Sequence, residues 1–188
     1  TNGLEQCNFG MCDVLLTSDC NGNYVDDLAD IQFGTSQDTN GNLIPDECES
    51  YCTAVANSTG SVGRVQMLGN NAICNSMVAI VASDLPPNEF GMFLTSMTPA
   101  FVANAGGSNG NLCLGGALGR YNGPGELFNS GPNGAATLIL DITQTPAPGP
   151  RVSVMAGETW YYQAWHRDIP MGGGSTSNFT GVTSLMYQ

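Results

Sequence analysis

Residues 19–49 contain one twelve-residue pattern written twice, DCNGNYVDDLAD and DTNGNLIPDECE. Each copy places an oxygen-bearing side chain at positions 1, 3, 5, 9 and 12. In the first these are Asp19, Asn21, Asn23, Asp27 and Asp30; in the second, Asp38, Asn40, Asn42, Asp46 and Glu49. Position 7 adds a backbone carbonyl, from Val25 or Ile44. Oxygens at such spacing wrap a short chain around a hard cation, and Ca²⁺ takes roughly six to eight of them. The usual Gly at position 6 is replaced by Tyr24 and Leu43, while Gly22 and Gly41 at position 4 keep the turn loose. An Asn/Gly-rich turn that binds nothing is the competing reading, and two copies in one register argue against it. The pattern predicts about two bound Ca²⁺ ions, one per loop.

At these residues the segment resembles the dockerin-type calcium repeat and the thrombospondin type 3 repeat. DTNGNLIPDECE is close to the type 3 pattern, in which Asp or Asn alternates before Ile-Pro-Asp. The resemblance implies calcium binding. It also implies one of three roles: docking on a cohesin-like partner, bracing adhesion modules, or stiffening a chain.

The charge is lopsided. Residues 1–50 carry Glu5, Asp13, Asp19, Asp26, Asp27, Asp30, Asp38, Asp46, Glu47 and Glu49, and no base. Residues 51–188 balance Asp84, Glu89, Glu126, Asp141, Glu158 and Asp168 against Arg64, Arg120, Arg151 and Arg167. Most of the net charge of −12 therefore sits in the loop segment, which repels itself unless cations neutralise it. Nucleic acid and anionic membrane are poor partners for such a surface. There is no lysine, which excludes a P-loop, a Schiff base and a lysine general base. No apolar run reaches the length of a membrane span. A first residue Thr1 is expected of a mature secreted protein after leader removal.

Seven cysteines (7, 12, 20, 48, 52, 74 and 113) point to an oxidising, extracellular setting. A zinc site is disfavoured because no CxxC pair occurs and His166 is the sole histidine. An odd count leaves one thiol over. Cys7 with Cys12 is one expected bridge, Cys74 with Cys113 another, and Cys20 with Cys48 or Cys52 a third.

From Tyr51 onward, short apolar runs alternate with Gly, Asn, Pro and Ser. Strands are predicted over 62–68, 77–83, 90–95, 137–143, 151–155, 159–167 and 182–187, with turn signals between them. An irregular loop is expected over 104–125. A short helix is predicted at 26–33, opened by acids and closed by Gly34. The fold class is thus mostly β, with an acidic two-loop calcium segment (1–50) followed by an antiparallel β-sandwich (51–188). The segments YCTA…NSTG, ASDLPPNEFGMF, NLCLGGALGR and GETWYYQAWHRD…SNFT resemble a C-terminal β-domain of large secreted proteins of environmental bacteria. That resemblance implies secretion and a β-fold, and no activity.

Two patterns invite an enzymatic reading. Gly106-Gly107-Ser108-Asn109-Gly110 fits GxSxG, and Ser108, Asp141 and His166 follow the chain order of an α/β-hydrolase triad. That motif needs a strand before it and a helix after it, whereas here it lies in a Gly/Asn-rich loop. The acids of the loops are spaced for metal rather than as a glycosidase pair. On the 159–167 strand, Trp160, Tyr162 and His166 face one way, and Tyr161, Trp165 and Arg167 the other. One face is core; Tyr161, Trp165 and Arg167 are the candidate surface for a glycan or a partner protein.

The sequence therefore reads as a secreted, non-enzymatic, calcium-stabilised structural protein of a bacterial exterior. Head-to-tail contact of one chain's calcium segment with the next chain's β-domain builds an extracellular fibre or biofilm matrix. Residues 12–16 are suited to adding onto a neighbour's sheet edge, and edges without lysine lack a common guard against pairing. The alternative is a calcium-dependent recognition module that docks on a cohesin-like protein or holds a carbohydrate.

Overall fold

A computed structural model describes residues 6–8, 11–13, 25–38, 45, 52–73, 77–170 and 176–188. Contacts divide the chain into two compact units, Thr1–Ser50 and Tyr51–Gln188. The described elements are mostly antiparallel strands, with one α-helix.

In the first unit, β1 (Gln6–Asn8) and β2 (Met11–Asp13) form an antiparallel pair in which Cys7 lies opposite Cys12. Helix α1 (Asp27–Phe33) follows. Asp26 caps its start by accepting the Leu28 N–H at 3.1 Å. Gly34, at φ 74°, ends it in the left-handed region, where glycine bears no Cβ penalty. The helix predicted over 26–33 is therefore present, one residue shorter at its start.

The described residues of the second unit form ten strands: β3 (Arg64–Gly69), β4 (Val78–Ser83), β5 (Phe90–Ser96), β6 (Pro99–Val102), β7 (Leu112–Leu114), β8 (Gly119–Arg120), β9 (Phe128–Asn129), β10 (Ala136–Leu140), β11 (Thr159–Asp168) and β12 (Thr176–Met186). One sheet runs β10–β4–β3; another runs β12–β11–β5–β8, with β9 also on β5; β6 and β7 pair separately. Alternation sorts side chains between faces. Val78, Ile80 and Ala82 of β4 join Phe93 of β5 and Trp160, Tyr162 and Ala164 of β11 in one buried cluster. The opposite face of β5 and β11 carries a second cluster built on Leu94, Leu114 and Phe179, with Met92, Tyr161 and Trp165 packed against it. Gly91 lets these layers close. A Cβ there would run into the Phe128 ring and the Trp165 carbonyl, and the Phe128 ring lies tilted against Phe93, centroids 5.0 Å apart.

Four expectations are corrected. Residues 151–155 form no strand. Prolines at 146, 148 and 150 withhold donors, so only the Thr145–Val152 bridge and a Val154 N–H to Ile142 carbonyl bond of 2.8 Å remain. The predicted 137–143 strand accordingly stops at Leu140, where the Asp141 carboxylate turns the chain by accepting the Thr143 N–H at 3.0 Å. The last strand begins at Thr176, not at residue 182. Its early half reads as polar, but Asn178 and Thr180 are fully buried and satisfied internally. Thr180 and Gly181 lie across from the single residue Ala164, a bulge in which the Thr180 hydroxyl accepts the Ala164 N–H at 2.9 Å. The stretch 104–125 is not wholly irregular, since it contains β7 and β8.

The expected Cys74–Cys113 bridge is also replaced. Cys113 is bonded to Cys52, which removes Cys52 as a partner for Cys20 as well. Cys74 lies outside the described residues. Gln163 of β11 explains the position of Cys113: its Oε1 accepts the Cys113 N–H at 2.9 Å, while its Nε2 donates to the Asn111 and Thr180 carbonyls.

Candidate functional site

Four of the twelve predicted calcium ligands, Val25, Asp27, Asp30 and Asp38, fall among the described residues. Asp19, Asn21, Asn23, Asn40, Asn42, Ile44, Asp46 and Glu49 lie outside them. Asp27 and Asp30 are three apart on α1 and so share a face. They are 5% and 0% exposed, whereas Leu28 and Phe33 are 53% and 75% exposed. This inverts the usual helix, which hides its apolar side chains and solvates its acids. A carboxylate is almost never fully buried unless a cation or several donors compensate it. The first unit contains no Lys, Arg or His. Thr35 supplies one hydroxyl, 2.7 Å from Asp30 Oδ1, and the helix start favours negative charge. Among the described residues no cluster of three or more His, Cys, Asp or Glu converges on one point.

The β11 face expected to be core is core: Trp160, Tyr162 and His166 are all buried. On the other face the three candidate surface residues separate. Tyr161 and Trp165 are partly buried in the second apolar cluster, and Arg167 is exposed. Trp165 forms one wall of a cleft of about 340 Å³, with Met92, Leu94, Leu112, Leu118 and Phe179. Arg120 lies at the same cleft. Sequence reading missed it, because only the Leu94–Arg120 strand register places it there.

Ser108, Asp141 and His166 are each engaged elsewhere. The buried Ser108 hydroxyl donates to the Ser177 carbonyl at 2.7 Å. Asp141 accepts from Thr143 on the surface, which holds its carboxyl below the usual range. The His166 Nδ1 is 3.0 Å from the Arg167 carbonyl, and burial pushes its pKa down. Among the described residues, no hydrogen bond links these three side chains. Compared with known proteins, the chain matches no family model, no curated protein and no solved structure. Both N-x-S/T triplets are committed internally: Asn57 donates to the Asp84 carbonyl at 2.7 Å, and Asn178 is fully buried. The folded chain thus offers neither asparagine as a glycan acceptor. No helix among the described residues is long and apolar enough to cross a membrane.

Proposed function

We propose that this chain is a secreted, non-enzymatic structural subunit whose acidic first unit is folded by Ca²⁺ and which assembles into an extracellular fibre or matrix. The observation that carries the reading is the buried pair Asp27 and Asp30, in a unit with ten acids and no cationic side chain. Buried carboxylates of this kind are paired or hold a metal. Two Ca²⁺ ions, one in each twelve-residue loop, offset part of this acidic charge, in keeping with the likeness to dockerin and thrombospondin type 3 repeats. The second unit is read as a β-sandwich, since residues of its three- and five-stranded sheets share one buried cluster. Head-to-tail contact between the calcium segment and the β-unit of a neighbour is the proposed mode of assembly.

Electron microscopy and light scattering in millimolar Ca²⁺, repeated after EGTA, test this reading. Filaments that shorten or dissolve on chelation support a calcium-clamped polymer. Filaments indifferent to EGTA move the cohesion to strands or disulfides. A monomer in both conditions sinks the structural reading in favour of a recognition module. The half-open Trp165 cleft favours that second reading, and cohesin pull-downs and glycan arrays would then follow.

A further inference from the structure

The outer face of the five-stranded sheet combines two features rarely found together on a satisfied surface. The first is the Trp165 cleft, about 340 Å³, whose side-chain walls come from β5, β7, β11 and β12 and from Ala105 and Leu118. Seven of its side chains are apolar and none is acidic. The second is Arg120. In the register of β8 on β5 it lies directly across from Leu94, which directs both side chains to the cleft face. Of the four arginines, Arg64 pairs with Asp84 and Arg151 with Glu126. Arg120 and Arg167 make no ion pair with a described residue. Leu118 and Arg120 also border a neighbouring cleft of about 540 Å³ that contains Arg151. An apolar trough edged by one guanidinium without an ion pair among the described residues is complementary to a molecule with an apolar body and a single negative end.

We propose that this cleft binds a small amphipathic carboxylate: the chain or ring lies against Trp165, Leu94 and Phe179, and the carboxylate takes the fork of Arg120. The cleft volume falls at the lower end of small-molecule sites, which span about 300–1,000 Å³ with mostly apolar walls and few polar anchors. A guanidinium meets a carboxylate through two parallel N–H···O bonds, a geometry an ammonium cannot reproduce. A monoanion fits better than a phosphate dianion. The other cation nearby, Arg151, is already held through both terminal nitrogens by Glu126. The site lies wholly in the second unit and is independent of the calcium reading.

Isothermal titration calorimetry of the whole protein with octanoate, 1-octanol and octyltrimethylammonium tests the site, with tryptophan fluorescence as a second readout. Octanoate is expected to bind one-to-one and to perturb the emission of wild-type protein but not of Trp165→Phe. Arg120→Gln, a change at an exposed side chain, should weaken octanoate about ten-fold or more, the range of a hydrogen bond to a charged group. It should leave octanol unchanged. Shortening the chain should weaken binding about four-fold per methylene, equivalent to about 0.8 kcal/mol each. Equal octanoate affinity in wild type and Arg120→Gln would overturn the proposal. So would octyltrimethylammonium binding as tightly as octanoate, or no saturable octanoate binding at millimolar concentration.

Discussion

His166 stands on β11 with its ring in the interior, 1% exposed. Its Nδ1 faces the Arg167 carbonyl at 3.0 Å, so that nitrogen carries the proton, and Nε2 is left as a buried lone pair without a hydrogen-bond partner among the described residues. Burial disfavours the imidazolium and outweighs the Arg167 carbonyl and the fields of Asp168 and Glu89, which act the other way. The folded pKa therefore lies below its ordinary 6.5. The unfolded chain then holds the proton more tightly, and stability rises with pH in that window. His166 contributes its full stability above 6.5 and loses it as the pH falls from there through the depressed folded value. Melting temperatures measured in EGTA should drop across this range for wild type. In His166→Gln the drop should be smaller. Parallel profiles for the two proteins would show that the ring's burial does not govern acid stability. The carboxylates of Glu126 and Asp141 do not confuse the comparison. Arg151 holds the first and Thr143 the second below the usual range, so both titrate in more acidic solution.

The segment that covers the second apolar cluster, 97–118, depends on contacts distant in sequence. Its strands β6 and β7 are four and three residues long, and Cys113 ties them to Cys52, 61 positions away. Closing a loop of that length removes unfolded-state entropy worth about 4 kcal/mol. The double variant Cys52→Ala, Cys113→Ala should melt on the order of 10 °C lower. Its hydrogen exchange should rise first in 97–118, with β3 and β4 still protected. An unchanged melting temperature would assign the anchoring to Gln163 and its bonds to Cys113 and Asn111 instead. The same dependence explains which elements were legible. β4, β5 and β11 announce themselves through long apolar and aromatic runs whose alternation survives in the burial pattern. β7 and β8 carry no such run; a disulfide and the Leu94–Arg120 pairing create them. The first half of β12 was hidden because two of its three buried residues, Asn178 and Thr180, are polar groups that bond to partners distant in sequence. Of the candidate sites, the Asp27 and Asp30 spacing was visible in the loop pattern. Arg120 was not, since nothing in GALGR tells which sheet face the arginine occupies.

At the scale of the whole chain, the two units differ in what opposes their unfolding. The second balances six acids with four arginines and closes its core with aliphatic and aromatic side chains. The first has ten acids, no base and two carboxylates buried on its helix. Its stability should therefore follow cation activity, whereas that of the second should not. Ca²⁺ at ten times its dissociation constant adds about 1.4 kcal/mol for each site that exists only in the folded unit. For a segment of roughly fifty residues, a stabilisation of that size shifts melting by about 8 °C or more. Differential scanning calorimetry should resolve an early transition that rises with Ca²⁺ and falls in EGTA, followed by a later one indifferent to both. Asp30→Asn preserves shape and the hydrogen bond from Thr35 but removes one ligand charge. It should reduce the calcium-dependent rise while sparing the later transition. If Mg²⁺ or added sodium chloride raised the early transition as far as Ca²⁺ does, general screening of the acids would suffice. The buried carboxylates would then no longer argue for a site. If only Ca²⁺ acts, and Asp30→Asn blunts it, the inverted helix is a ligand-bearing element and the first unit is a calcium-folded module.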